Sequence, residues 1–399
     1  HDLEDGLRAG LFTLKKLKKV KYISKIISKI TKNKKKYRRE VFVNEIVRKL
    51  ISEMVKHGEI LVSKELQKDQ IQPASLDLRL GIKAYRIRAS FLTGKLKTVS
   101  DRLTEFEMHK IDLSEGAVLE KGCVYLVPLM ESLNLPQNIS AVTNAKSSTG
   151  RLDLLTRTIT DNGTEFDRII NGYSGPLYAE ICPRSFSVLV RPGMRLNQIR
   201  FRIGNSVLSD QALRLLNEQS PLVTGTPVIH GGLGFSVDLT SSKNGIVGYR
   251  AKPHTGVIDL AKIGKYSPSD FWETLHTSKK QIILDPEAFY ILVSRESVTI
   301  PPNYAAEMAP YLAMVGEFRV HYAGFLDPGF GWAEAAGRGS RGVLEVRCHD
   351  APFVLEHGQV VGRLVYEKML EPPTQLYGLE SQTNYQGQGL KLSKHFSII

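Results

Sequence analysis

Three short segments carry residue types that can hold a phosphate chain and move a proton. The first is Lys146-Ser147-Ser148-Thr149-Gly150-Arg151. Two cations, adjacent hydroxyls and a glycine within six residues can place several donors on one anion through charge-assisted hydrogen bonds. The second, His321-Tyr322-Ala323-Gly324-Phe325-Leu326-Asp327-Pro328-Gly329-Phe330, reads as a turn-rich β-hairpin presenting one carboxylate beside an aromatic. The third is Val343-Leu344-Glu345, an acid in a hydrophobic strand. Burial in apolar surroundings raises a carboxyl pKa and suits it to proton exchange near neutral pH. Glu180, closing Leu177-Tyr178-Ala179-Glu180, is a second candidate of the same kind.

An internal repeat relates these segments. Val124 to Asn138 returns as Phe289 to Asn303 at an offset of 165, with Tyr, Glu-Ser, Pro and Asn coinciding. At that offset Gly193 meets Gly358 and Glu180 meets Glu345, while upstream Ser75-Leu76-Asp77-Leu78 is echoed by Ser236-Val237-Asp238-Leu239. The copies differ in a complementary way. The counterpart of the 146–151 segment, Tyr311 to Gly316, has no charge and one hydroxyl. The counterpart of the Asp327 hairpin has Ile170 where the acid would be. Each half keeps what the other lost, which points to a composite site. Asp77 and Asp238 read as structural acids, bonding turns at a domain joint.

The surrounding texture is mainly β. Short alternating runs such as VYLVPL, FSVLV and YILVSRESVTI are separated by Gly, Pro, Asn and Asp, the pattern of a sandwich or barrel. Apolar spacing predicts one helix from Val41 to Lys56 and a second, short one from Pro268 to His276. Three units follow: a basic amphipathic leader over 1–40, a first β domain over 41–215 and a second over 216–399.

Composition narrows the function. Of the formal charge of +13, the leader carries +10 and the remaining 359 residues only +3, so the basic excess gives no ground for a nucleic-acid partner of the folded body. No run of about 18 apolar residues offers a membrane span. Three well-separated cysteines fit a reducing, cytoplasmic setting better than a disulfide framework. Zinc deaminases pair H-x-E with P-C-x-x-C, and the sequence has no P-C-x-x-C, so no metal ligands are expected in the protein.

Taken together, these motifs resemble the trimeric dCTP deaminase/dUTPase superfamily, in a duplicated long form. Gln72 to Gly81 resembles the opening strand, and Lys146–Arg151 the R-S-S-x-x-R phosphate motif, with Lys146 where Arg is usual. Ala323–Phe330 is similar to A-x-x-I-D-P-G-[FW], and Val343-Leu344-Glu345 to the V-L-E with the catalytic glutamate. Tyr377 to Gln388 is similar to the C-terminal arm that closes over the nucleotide, with Asn384 where Lys is common.

The resemblance implies two tandem dUTPase-like distorted β-barrels, jelly-roll-like, behind a short helical N-terminal segment. It also implies deamination of dCTP to dUTP, which feeds dTTP synthesis. Glu345 would activate the water, Ser147 assist at the pyrimidine C4, and Arg151 hold phosphate and polarise the site. Glu180 stays open as the alternative acid. Lys146, Ser148, Thr149, Gly150, Ala323, Asp327, Val343, Leu344, Tyr377 and Gln388 would bind substrate, with Asp327 on the deoxyribose 3′-hydroxyl. Mg2+ would arrive with the triphosphate, and chains would form a homo-oligomer with sites between barrel units. The rival activities are dUTP hydrolysis to dUMP, alone or coupled, and a non-catalytic nucleotide-sensing module.

Overall fold

The same backbone pairing scheme is laid down twice. In a computed structural model, which describes residues 46–67, 69–240, 244–310, 318–321, 324–332, 338–348, 350–370, 376–377 and 389–398, the two halves share one strand register. Glu180 lies opposite Leu126 and Glu345 opposite Ile291; Ile169 lies opposite Ala141 and Leu326 opposite Ala306. Glu345, Ile291 and Ala306 each lie 165 residues beyond their counterparts, while Leu326 lies 157 beyond Ile169. The expected leader, 1–40, lies outside the described residues.

Within each half two sheets face each other. In the first half the strands run Glu107–Asp112, Lys83–Ile87, Val124–Asn134, Ser174–Pro183 and Leu154–Thr160, with Ile60–Val62 also on Val124–Asn134. The facing sheet is Leu76–Arg79, Arg195–Ile203, Ile139–Ala145 and Arg168–Ile169. Leu76, Leu78, Leu133, Ile139, Leu177 and Ile199 fill the space between them. The second half repeats this with Trp272–Leu275, Gly248–Ala251, Phe289–Val298, Ser340–Cys348 and Phe318–His321. These face Val228–Ile229, Leu233–Ser236, Val360–Lys368, Tyr304–Pro310 and Phe325–Leu326. The mainly β, dUTPase-like class expected from the sequence is the observed one.

A separate hydrophobic cluster joins the halves. Leu152, Leu154, Ala179, Ile181 and Phe186 of the first half pack with Phe271, Trp272, Phe289, Ile291 and Val343 of the second. Strand Ile258–Asp259 also pairs in parallel with Val188–Val190 across the junction. The alternation of a β-strand does the rest. Along Ser340–Cys348, Leu344 and Val346 point into the second half's own core, while Val343 points to the junction cluster. Glu345 and Arg347 share the Val343 face.

Of the two expected helices, only the second needs revision. The first helix is Ile46–Lys56, with 41–45 outside the described residues. The second ends at Phe271, and Trp272–Leu275 is a strand paired with Gly248–Ala251. Trp272 is buried against Phe186, Phe289 and Phe396, so ladder pairing and aromatic packing outweigh extension of a single turn. Two unanticipated helices are capped as their sequences allow. Val99–Phe106 has a Thr98/Asp101 capping box, and Asp210–Gln219 is capped by Ser209.

Candidate active site

At the junction, the acid of one half meets the cation of the other. Ser147–Gly150 form a single turn after strand Ile139–Ala145, and Arg151 ends that turn inside the protein, 3% exposed. Glu345, 4% exposed, stands with its carboxylate 3.9 Å from Arg151 Nε. Burial pushes the Glu345 carboxyl up to about 8, and the Arg151 guanidinium opposes this only in part. Two residues along the same strand face, Arg347 ion-pairs with Asp153, which also accepts from Ser185 Oγ at 2.6 Å. Two cross-half ion pairs thus fix the 151–153 segment against strand Ser340–Cys348.

A second cluster lies beside Lys146. Its ammonium pairs with Asp77, a fully buried acid that Arg195 approaches to 3.7 Å. Asp77 therefore sits in strand Leu76–Arg79 and anchors Lys146, rather than bonding a turn at a domain joint. Asp327 follows strand Phe325–Leu326 and lies 3.5 Å from Arg200 Nη2. Burial drives its carboxyl up to about 6 against the pull of Arg200, and both Asp77 and Lys146 act on it, so the hairpin acid belongs to this neighbourhood. Arg200 also crosses the junction to Ala306 O at 3.3 Å and stacks over Phe325, 4.1 Å from its centroid. Tyr377 docks on the Asp327 hairpin, donating its N–H to Pro328 O at 2.8 Å, with its ring 5.6 Å from that of Phe330.

Most of the candidate residues named from the sequence converge here. Ser148, Thr149 and Gly150 are buried, Ser147 and Lys146 half-buried, and Thr149 Oγ1 donates to Leu196 O at 3.1 Å. Val343 and Leu344 flank Glu345 as backbone and packing. Ala323 and Gln388 lie outside the described residues. Glu180 occupies the equivalent strand position but not equivalent surroundings. It accepts from Ser90 Oγ and Arg157 Nη2, each at 2.6 Å, on a face covered by Phe91, Val99 and Leu103 of its own half. Sequence reasoning missed Arg200, Arg195, Asp153 and Arg347. Cross-half partners single out Arg200, Asp153 and Arg347, and Asp77 and Asp69 single out Arg195; no local spacing reports those contacts.

A doubled, dUTPase-like β fold with acid and cation contributed by different halves defines a class of nucleotide-handling enzyme. Residues 45–205 match the model of the 2′-deoxycytidine 5′-triphosphate deaminase N-terminal domain, and residues 209–396 that of its C-terminal domain. The chain belongs to the dCTP deaminase family. It is similar to a solved structure, the 2′-deoxycytidine 5′-triphosphate deaminase from Agrobacterium tumefaciens, at 55% identity and a TM-score of 0.78. That match covers 82% of this chain and 98% of the other. It is also similar to the dUMP-forming dCTP deaminase of Nanoarchaeum equitans, 30% identical over 172 residues, which are 38% of this chain and 81% of that protein. The dUMP-forming enzyme of Coprothermobacter proteolyticus is 31% identical over 159 residues, 39% of this chain and 79% of that protein. None of the described helices is long and apolar enough to cross a membrane.

Proposed function

We propose that this enzyme deaminates dCTP with water to dUTP and ammonia, using Glu345 as the proton carrier. One observation carries the reading: a buried carboxyl with its pKa pushed up to about 8 stands 3.9 Å from a guanidinium of the opposite half. A carboxyl so tuned accepts and returns protons near neutral pH. As carboxylate it takes one proton from water while the oxygen bonds to C4, and hands that proton to N3. It then takes the hydroxyl proton of the tetrahedral adduct and delivers it to the exocyclic nitrogen. The C4–N bond breaks, ammonia leaves and the C4 carbonyl forms, so atoms and protons balance.

In this reading Arg151 stabilises the negative charge that develops at the site, and Ser147 assists the water at C4. Lys146, Ser148, Thr149 and Gly150 hold phosphate with Tyr377 and Gln388, and Asp327 takes the sugar 3′-hydroxyl. Mg2+ enters as part of the nucleotide, bound to phosphate oxygens. Both halves of the described pairings come from one chain; assembly into a homo-oligomer, a role in dTTP supply and a cytoplasmic place complete the proposal. Cys123, Cys182 and Cys348, three cysteines far apart in the sequence, suit that compartment. Formation of dUMP and diphosphate is the second reading, favoured by the names of several relatives. Incubation with dCTP separates the two: ammonia with dUTP supports the first, ammonia with dUMP and diphosphate the second, and neither refutes both.

A further inference from the structure

Residues 389–398 run across the Lys146–Arg151 segment. Arg151 Nη1 donates to Lys391 O at 3.0 Å, and Ser393 Oγ donates to Ser148 O at 2.8 Å. The crossing segment is fixed on its other side too. Leu392 and Phe396 are buried, and the Phe396 ring lies 5.5 Å from that of Phe271 and 5.9 Å from that of Trp272. His395 bonds Ser393 Oγ at 2.9 Å and Leu260 O at 3.2 Å, while the N–H groups of Gly264 and Lys265 donate to Lys394 O and His395 O, each at 3.0 Å. Between these anchors, Lys391 and Lys394 remain half-buried.

Each lysine stands beside one cation of the six-residue segment. Burial lowers the ammonium pKa of both, and Arg151 adds to this at Lys391 as Lys146 does at Lys394. Asp77 and Asp69 offset part of the charge around Lys146, Lys394 and Arg195. Near Arg151 the facing acid is Glu345, whose raised pKa of about 8 leaves it mostly uncharged at neutral pH. Gathering like charges in a partly desolvated place is unfavourable until an anion joins them.

We propose that Lys391 and Lys394 complete a polyphosphate cradle with Lys146 and Arg151, the crossing segment being a fixed part of the binding site. A flexible chain of negative oxygens is the ligand that four cations spread along two crossing segments recognise. Naming it the triphosphate of dCTP rests on the function proposed above. The last segment of the chain then sets affinity for the phosphate end of the substrate, leaving proton transfer to Glu345.

The test uses the full chain and inorganic tripolyphosphate, measured by calorimetry, alongside steady-state kinetics with dCTP. Lys391→Gln and Lys394→Gln each weaken tripolyphosphate binding about tenfold or more, the loss of one hydrogen bond to a charged group. KM for dCTP rises by a similar factor. Lys391→Arg and Lys394→Arg restore binding to within about threefold, since charge and reach are kept. An unchanged dissociation constant in the Lys391→Gln/Lys394→Gln double variant, with its fold intact by circular dichroism, overturns the cradle. A wild-type protein that binds tripolyphosphate through these lysines but yields no product from dCTP sinks the deaminase reading and keeps the cradle.

Discussion

Replacing Glu345 by Gln removes an ionisable group from a site that disfavours charge, so it alters stability as well as chemistry. The folded carboxyl has a pKa of about 8 against an ordinary 4.5. Between those values the folded protein keeps a proton that the unfolded chain has released, so the stability from this group falls as pH rises. It is complete below pH 4.5 and fully lost above pH 8. Multiplying the displacement by 1.36 kcal/mol per unit gives a ceiling of about 5 kcal/mol. Glutamine has nearly the same shape and stays neutral throughout. Glu345→Gln therefore matches the wild type within about 1 kcal/mol at pH 5 and exceeds it by up to about 5 kcal/mol at pH 9. Urea denaturation at both pH values, with matched slopes, measures this. Equal stabilities at pH 9, or a less stable variant, would refute the argument that burial raises this acid.

Two further perturbations probe the junction and the Asp327 hairpin. Arg347→Met leaves the Asp153 carboxylate buried without its ion-pair partner and costs about 3–5 kcal/mol in urea denaturation; adding Asp153→Asn recovers part of the loss. Gly331 has φ +67, and a Cβ there would lie 2.8 Å from Ser340 N and closer still to Val298 O. Gly331→Ala should therefore lower the thermal midpoint by an amount equivalent to about 2 kcal/mol or more.

The repeat made much of this fold legible. An offset of 165 in sequence became one strand register in two halves, because pairing depends on local alternation that both copies preserved. The composite site was legible for the same reason: the charges missing from Tyr311–Gly316 and the acid missing at Ile170 could be read only against a second copy. What stayed hidden is held by contacts between segments remote in sequence. Nothing near Arg200 announces Asp327, and nothing near Asp153 announces Arg347. Trp272–Leu275 was misread as helix because its strand identity comes from partners at Gly248–Ala251 and from rings contributed by Phe186, Phe289 and Phe396. The contrast between Glu345 and Glu180 depends on what covers each strand face. Ser90, Arg157 and the Phe91–Leu103 segment settle that only once the chain is folded.

Ammonia release from dCTP by Glu345→Gln and Glu180→Gln proteins, both verified as folded, bears most directly on which acid does the chemistry. Loss of the proton carrier should lower the rate of Glu345→Gln by about a thousandfold, while Glu180→Gln stays within about tenfold of wild type. Persistent turnover in Glu345→Gln together with a silent Glu180→Gln would place the chemistry on the other strand and contradict the composite site.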